Sequence, residues 1–232
     1  MSGPSAPPDF DRLARGYRAL EFLSFGRDLE RARTCHVERL SACREILILG
    51  EGDGRYLARL VAAAPNARIH CVDASGAMLA RATARVAGTG ARERVTFEHA
   101  DAFALRLAPG RYDAVVTLFF LDCFRPEAAA VLVDRVRTSL RPDALWAWAD
   151  FAVPPRGWAR LRARAWLALL YAFFRWETGL TARELPPTEE NLQRAGFRLE
   201  TAREFQGGLV RSALFSRSSR DASPPAAAPK TD

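Results

Sequence analysis

The rhythm of apolar positions changes near residue 42. Before it, "DFDRLARGYRALEFLSFGRDLERARTCHVERL" carries apolar residues at helical spacing, with a break at Gly26. After it, short aliphatic runs alternate with amphipathic stretches. The runs predict strands over 45–50, 67–73, 94–99, 112–120 and 145–153. The intervening pattern predicts helices near 55–64, 75–87 and 126–140. Ser75 suits an N-cap, and Pro126 suits a first helical turn. Strand and helix in this order imply a parallel sheet with right-handed crossovers.

Beyond the fifth strand the alternation stops. "PPRGWARLRARAWLALLYAFFRWETGL" predicts one long helix over 157–178. A short helix over 188–195 follows, closed by Gly196. Strand-like runs over 197–205 and 209–215 are joined by "QGG", which predicts a terminal hairpin.

A chain of 232 residues with 49% hydrophobic content fits one domain with a sizeable core, here placed over 9–217. Within it, 9–41 form N-terminal helices and 154–187 a helical segment covering the substrate. Residues 1–8 and 218–232, rich in Pro, Ser, Ala and Gly, are expected to be disordered. The start lacks the basic and apolar regions of a signal peptide. The most apolar run, Ala165 to Phe174, is far shorter than the roughly 20 residues that span a bilayer. Cys35, Cys43, Cys71 and Cys123 show no zinc or disulfide spacing, so no metal is expected and a reducing cytoplasm is. The net charge of +7 is nearly all arginine, Lys230 being the sole lysine. It fits an anionic partner or an ordinary solvated surface.

Chemistry concentrates in "ILILGEGDGRYLARL", Ile46 to Leu60. Strand, glycine turn and helix hold a nucleotide-like ligand at the carboxyl ends of a parallel sheet. The spacing of Gly50, Gly52 and Gly54 is G-x-G-x-G, not the dinucleotide G-x-G-x-x-G, and no P-loop G-K-[ST] follows. The acids Glu51 and Asp53 would repel a pyrophosphate and suit a cationic cofactor such as S-adenosylmethionine. Asp73 closes the second strand about 20 residues later, where an acid meets ribose hydroxyls. Asp101 lies just past the third strand, beside the adenine position. Three such marks, each ending a successive strand, reinforce one another.

With these motifs the sequence resembles the class I S-adenosylmethionine-dependent methyltransferases. The resemblance runs from about residue 42 to 215 and rests on "ILILGEGDG", "IHCVDASGAML", "HADAF", "YDAVVTLFFLDCF" and "LRPDALWAWADF". It implies a Rossmann-like, seven-stranded, mostly parallel α/β sheet with an antiparallel last strand and helices on both faces. It implies S-adenosylmethionine as cofactor. Gly50, Gly52 and Gly54, with Glu51 and Asp53, surround its methionine moiety; Asp73 and Ala74 take the ribose; Asp101 and Ala102 take the adenine. Phe119 and Phe120 fall near the transferable methyl. One departure is Ile48, where many members carry an acid two residues before the first glycine; Glu51 is the stand-in.

A base is needed only if the nucleophile arrives protonated. Asp122, in "FFLDCF", is the leading candidate; Tyr17 and His36 of the N-terminal helices are further ones. "FFLD" lacks the prolines of amino-methylating nucleic-acid enzymes, so no DNA substrate is expected, and RNA is not favoured. In the long helix Trp158, Leu161, Ala165, Leu169, Phe173 and Trp176 form one stripe fringed by arginines. The expectation is a lid over an apolar pocket; a dimer face and an interfacial helix on acidic lipid are the rivals. The reading is methyl transfer to a small apolar or aromatic acceptor. The alternatives are an RNA or protein methyltransferase using the basic surface, and a non-catalytic binding protein of the same fold.

Overall fold

The computed structural model describes residues 27–178 and 184–217, with side chains of 170–178 left out. The expected elements at 9–26, the terminal segments 1–8 and 218–232, and the break at Gly26 lie outside the described residues. Helix α1, Asp28–Thr34, and a 3-10 turn, Val37–Leu40, precede the sheet. The alternating part runs β1 (Glu45–Leu49), α2 (Arg55–Ala63), β2 (Arg68–Asp73), α3 (Gly76–Ala87), β3 (Val95–His99), β4 (Tyr112–Leu118), α4 (Pro126–Thr138) and β5 (Leu140–Phe151). Helix α5 (Gly157–Thr178), helix α6 (Thr188–Arg194) and the hairpin β6 (Phe197–Phe205) and β7 (Val210–Arg217) complete it.

The seven strands form one sheet in the order β3-β2-β1-β4-β5-β7-β6. Pairs among β1 to β5 are parallel, while β7 runs antiparallel to both β5 and β6. This is the architecture expected. In β1 four consecutive residues are buried, because helices cover both faces and alternation disappears. On one face Ile46, Ile48 and Val116 pack under Leu57 and Leu60 of α2 and Leu79 and Ala82 of α3. On the other, Leu47, Leu49, Val115 and Trp146 pack under Leu132 and Val136 of α4 and Leu192 of α6. Trp146 meets Phe197 edge-on at 5.4 Å, and its indole N–H donates to Thr117 at 2.8 Å. Burying such a side chain stabilises by about 1.5–3 kcal/mol.

Two expectations need correction. The fifth strand starts at Leu140, paired with Tyr112, not at residue 145. Arg141 to Asp143 bulge out before pairing resumes at Leu145, and Asp143 takes φ +64°. The strip of apolar residues on α5 also points the other way. Ala163 and Leu167 are buried against Leu29 and Ala32 of α1, Phe151 and Val210. Trp158, Leu161 and Leu169 face outward, 79%, 61% and 62% exposed. Phe173 and Trp176 lie outside the described side chains. Among the described residues no helix is long and apolar enough to cross a membrane.

The order of neighbours reverses at β1, flanked by β2 and β4. Ligands of open parallel sheets bind outside the carboxyl ends of the strands at such a point. There the ends of β1, β2 and β4 meet, and α1 and α5 cluster beside the end of β5.

Candidate functional site

The site begins where β1 gives out. Gly50 N–H still donates to Val72 at 2.9 Å, and then the chain turns through Gly50, Gly52 and Gly54, all at positive φ. Two of these admit no side chain. A Cβ on Gly54, at φ +84°, would lie 2.5 Å from the Ala82 backbone, so α2 could not start against α3. A Cβ on Gly50 would run into the Phe120 ring. Gly52 is different: nothing lies within 4 Å of where its Cβ would be. The turn is open at its middle.

Asp73 ties the turn to β2. Its carboxylate accepts from Gly52 N–H at 2.9 Å and from Ser75 N–H at 2.9 Å. Ser75 in turn caps α3 by accepting from Met78 N–H at 3.1 Å. The expected helix cap is therefore Ser75, and Asp73 is held at the mouth of the turn. The Ala74 carbonyl is bonded to the His99 ring at 2.9 Å, which gives His99 a structural place. Asp101 accepts from Phe103 N–H at 2.8 Å in a tight turn, with Ala102 buried behind it. Arg135 of α4 pins this turn by donating to the Phe103 and Leu105 carbonyls.

The two acids within the glycine turn point in opposite directions. Glu51 accepts from Leu57 N–H at 2.8 Å, so it caps α2 from below the turn. Burial pushes its carboxyl up to about 8, against the opposing pull of that hydrogen bond and of the Arg33 charge. Asp53 pairs with Arg55 at 3.0 Å and with Arg85 at 3.3 Å on the outer side. Burial would raise its pKa, but Arg55 and then Arg85 outweigh burial and hold it below the ordinary range.

Opposite the turn, the segment after β4 makes the other wall. Phe119 adopts φ +54°, and its ring meets Phe151 edge-on at 5.4 Å. Phe120 rests on Gly50 and meets Phe124, which meets Phe103; the centroid distances are 5.1 and 5.4 Å. The Arg33 guanidinium of α1 lies 4.8 Å above the Phe119 ring. Sequence reasoning did not single out Arg33 or Phe103.

Asp122 sits in a short 3-10 turn, Leu121–Cys123, and is buried. It has a partner the sequence reading missed. Asp150 of β5, also buried, accepts from Phe120 N–H at 3.1 Å and from the Trp148 indole. Phe151 N–H in turn donates to Asp122. The two carboxyl groups thus brace the β4 and β5 ends reciprocally. Burial raises both above the usual carboxylate range, and the charge of Asp122 raises Asp150 further. Ionising one of the two therefore disfavours ionising the other.

The remaining candidates do not join this cluster. His36 is buried beside β7, its ring bonded to the Ser212 backbone; burial, with Arg203 and Arg39, keeps it neutral. Tyr17 lies outside the described residues. Next to Phe151 a cavity of about 750 Å³ opens between α5, the carboxyl end of β5 and residues 184–190. Leu167 and Trp148 give it apolar walls, while Arg164, Glu184, Glu189 and Arg211 give it charged ones. The pocket expected to be apolar is therefore of mixed character.

Residues 46–143 match the model of the methyltransferase domain family. No curated protein matches the sequence. Among solved structures, a mitomycin 7-O-methyltransferase is similar at 20% identity and TM-score 0.64, over 90% of this chain and 60% of that one. The pyocyanin biosynthetic protein PhzM is similar at 19% identity and TM-score 0.63, over 90% and 61%. The chain thus spans about 60% of the length of these two relatives. A 1,6-didemethyltoxoflavin-N1-methyltransferase from Burkholderia thailandensis, solved with 1,6-didemethyltoxoflavin and S-adenosylhomocysteine, matches at 20% identity and TM-score 0.60, over 94% and 93%. The stretch that matches the methyltransferase domain model is less than half of the chain, and the chain as a whole has the Rossmann-like fold of the class I S-adenosylmethionine-dependent methyltransferases.

Proposed function

We propose that the protein transfers a methyl group from S-adenosylmethionine to a small molecule with an apolar or aromatic body. The observation that carries this reading is the bond from Gly52 N–H to Asp73 across the ends of β1 and β2, under an open turn. The residues present fit the cofactor. The 50–54 turn would take its amino-acid tail, Asp73 and Ala74 the ribose, and Asp101, Ala102 and Phe103 the adenine. When bound, the cofactor supplies an electrophilic methyl on a cationic sulfur. Phe119 and Phe120 present aromatic faces on that side of the crevice, and such faces attract cations.

The chain's own task is alignment and the handling of one proton. Phe119 touches Phe151, and Phe151 lines the 750 Å³ cavity, so the cavity adjoins the crevice. It has the size of a small-molecule pocket. Its charged wall suits an acceptor carrying a polar substituent. If the acceptor arrives as a hydroxyl or amine, its proton passes to the Asp122–Asp150 pair as the new bond forms. Burial raises the Asp122 carboxyl to about 6, so near neutral pH it is ionised and able to receive that proton; the Arg33 charge adds a smaller pull in the same direction as its hydrogen bonds.

The test is incubation with methyl-labelled cofactor and cell extract, followed by fractionation. Label entering a lipid-soluble small-molecule fraction is the expected result. Label confined to RNA or protein would replace this acceptor class, and absence of transfer with intact cofactor binding would favour a binding protein.

A further inference from the structure

The outward stripe of α5 takes no part in the site just described. Trp158, Leu161, Ala165 and Leu169 recur at helical spacing, and all four are exposed. A contiguous apolar surface of this kind marks an interaction site, since isolated exposed residues are ordinary but aligned ones are not. Arg156, Arg160 and Arg162 of the same segment are exposed, and no acid occurs between Pro154 and Trp176.

That charge selects the occupant. A second copy docked two-fold on this face would set arginines against arginines. An anionic lipid surface meets both features at once. The apolar ridge enters the boundary between headgroups and acyl chains, and the guanidinium groups reach the phosphates along flexible stems. Among the described residues no helix is long and apolar enough to cross such a membrane. We infer that α5 docks the protein on an anionic membrane surface through Trp158, Leu161 and Leu169.

The opposite side of the same helix supplies Leu167 and Ala168 to the cavity. If that cavity is the acceptor chamber, as proposed above, docking sets it beside the phase in which an apolar acceptor dissolves. The docking itself does not depend on that reading.

The test is flotation of the full chain with vesicles of phosphatidylcholine, with and without about 30 mol % phosphatidylglycerol. The protein should float with the anionic vesicles only, and less at high salt. Trp158→Ser with Leu169→Ser should weaken binding at least tenfold. Arg156→Glu and Arg160→Glu should each weaken it about fivefold or more. All four side chains are exposed, so the variants should keep the wild-type melting curve. Binding unchanged in both sets of variants would overturn the inference, as would its absence from wild type. A stable dimer by light scattering, dissociated by Trp158→Ser, would also overturn it and assign the face to a second copy. A failure of methyl transfer would leave these outcomes unaffected.

Discussion

Glu51 gives the most quantitative handle on the glycine turn. Its carboxyl is pushed from 4.5 up to about 8 by burial beneath the turn. At about 1.4 kcal/mol per pKa unit, the fully ionised group costs the folded chain on the order of 5 kcal/mol. The sign follows from proton binding. Below pH 4.5 the folded and unfolded chains both carry the proton, and the group costs nothing. As pH rises toward 8 the unfolded chain loses its proton first, so stability falls; above 8 the loss is complete. Glu51→Gln keeps an acceptor for Leu57 N–H and removes the charge. At pH 8 the variant should be about 2–4 kcal/mol more stable than wild type, and the two should converge near pH 5. Urea unfolding followed by circular dichroism at pH 5, 6.5 and 8 measures this. Asp122 and Asp150 titrate in both proteins, so the difference between them isolates Glu51. A difference independent of pH, or a variant less stable at pH 8, would refute the placement of this carboxyl.

Other outcomes follow from the same geometry. Gly54→Ala should destabilise by at least about 2 kcal/mol, because the Cβ meets the α3 backbone at positive φ; thermal melting reads it. With an acceptor in hand, Asp122→Asn should lower kcat by about 10²–10⁴ for a protonated nucleophile. The same variant tested on an acceptor already ionised should lose far less, and equal losses would remove Asp122 from the proton step. Arg33→Met should raise the pKa of Asp122, moving the rising limb of the kcat profile to higher pH. An unmoved limb would show that Arg33 does not act on this group.

Much of this was legible because the local physics is strong. Strands buried on both faces read as aliphatic runs, so β1, β2 and β4 are legible to within a residue or two; the edge strand β3 is legible from its alternating, β-branched and aromatic residues. Glycines at three positive-φ positions announced the turn. What escaped depended on distant partners. Leu140 belongs to β5 only because Tyr112 pairs with it, and the "RPD" that follows reads locally as a break. Asp150 looked like one more residue of "WAWADF"; the sole sign was an acid in an otherwise apolar strand. Its meaning comes from the turn 28 residues earlier. Arg33 is one of two arginines in α1, and nothing in their spacing marks the one that reaches Phe119. The orientation of α5 escaped for a different reason. With apolar residues on nearly every side, periodicity cannot choose a face, and the contacts of Ala163 and Leu167 decide it.

The central claim is that the ends of β1, β2 and β3 together grip S-adenosylmethionine. Titration calorimetry of the full chain with S-adenosylhomocysteine, in wild type and Asp73→Ala, tests it most directly. The account predicts one equivalent bound by wild type, and affinity lower by about 10–100-fold or more in the variant, the worth of hydrogen bonds to a charged group. A folded wild type that binds nothing, or a variant that binds equally well, would contradict it.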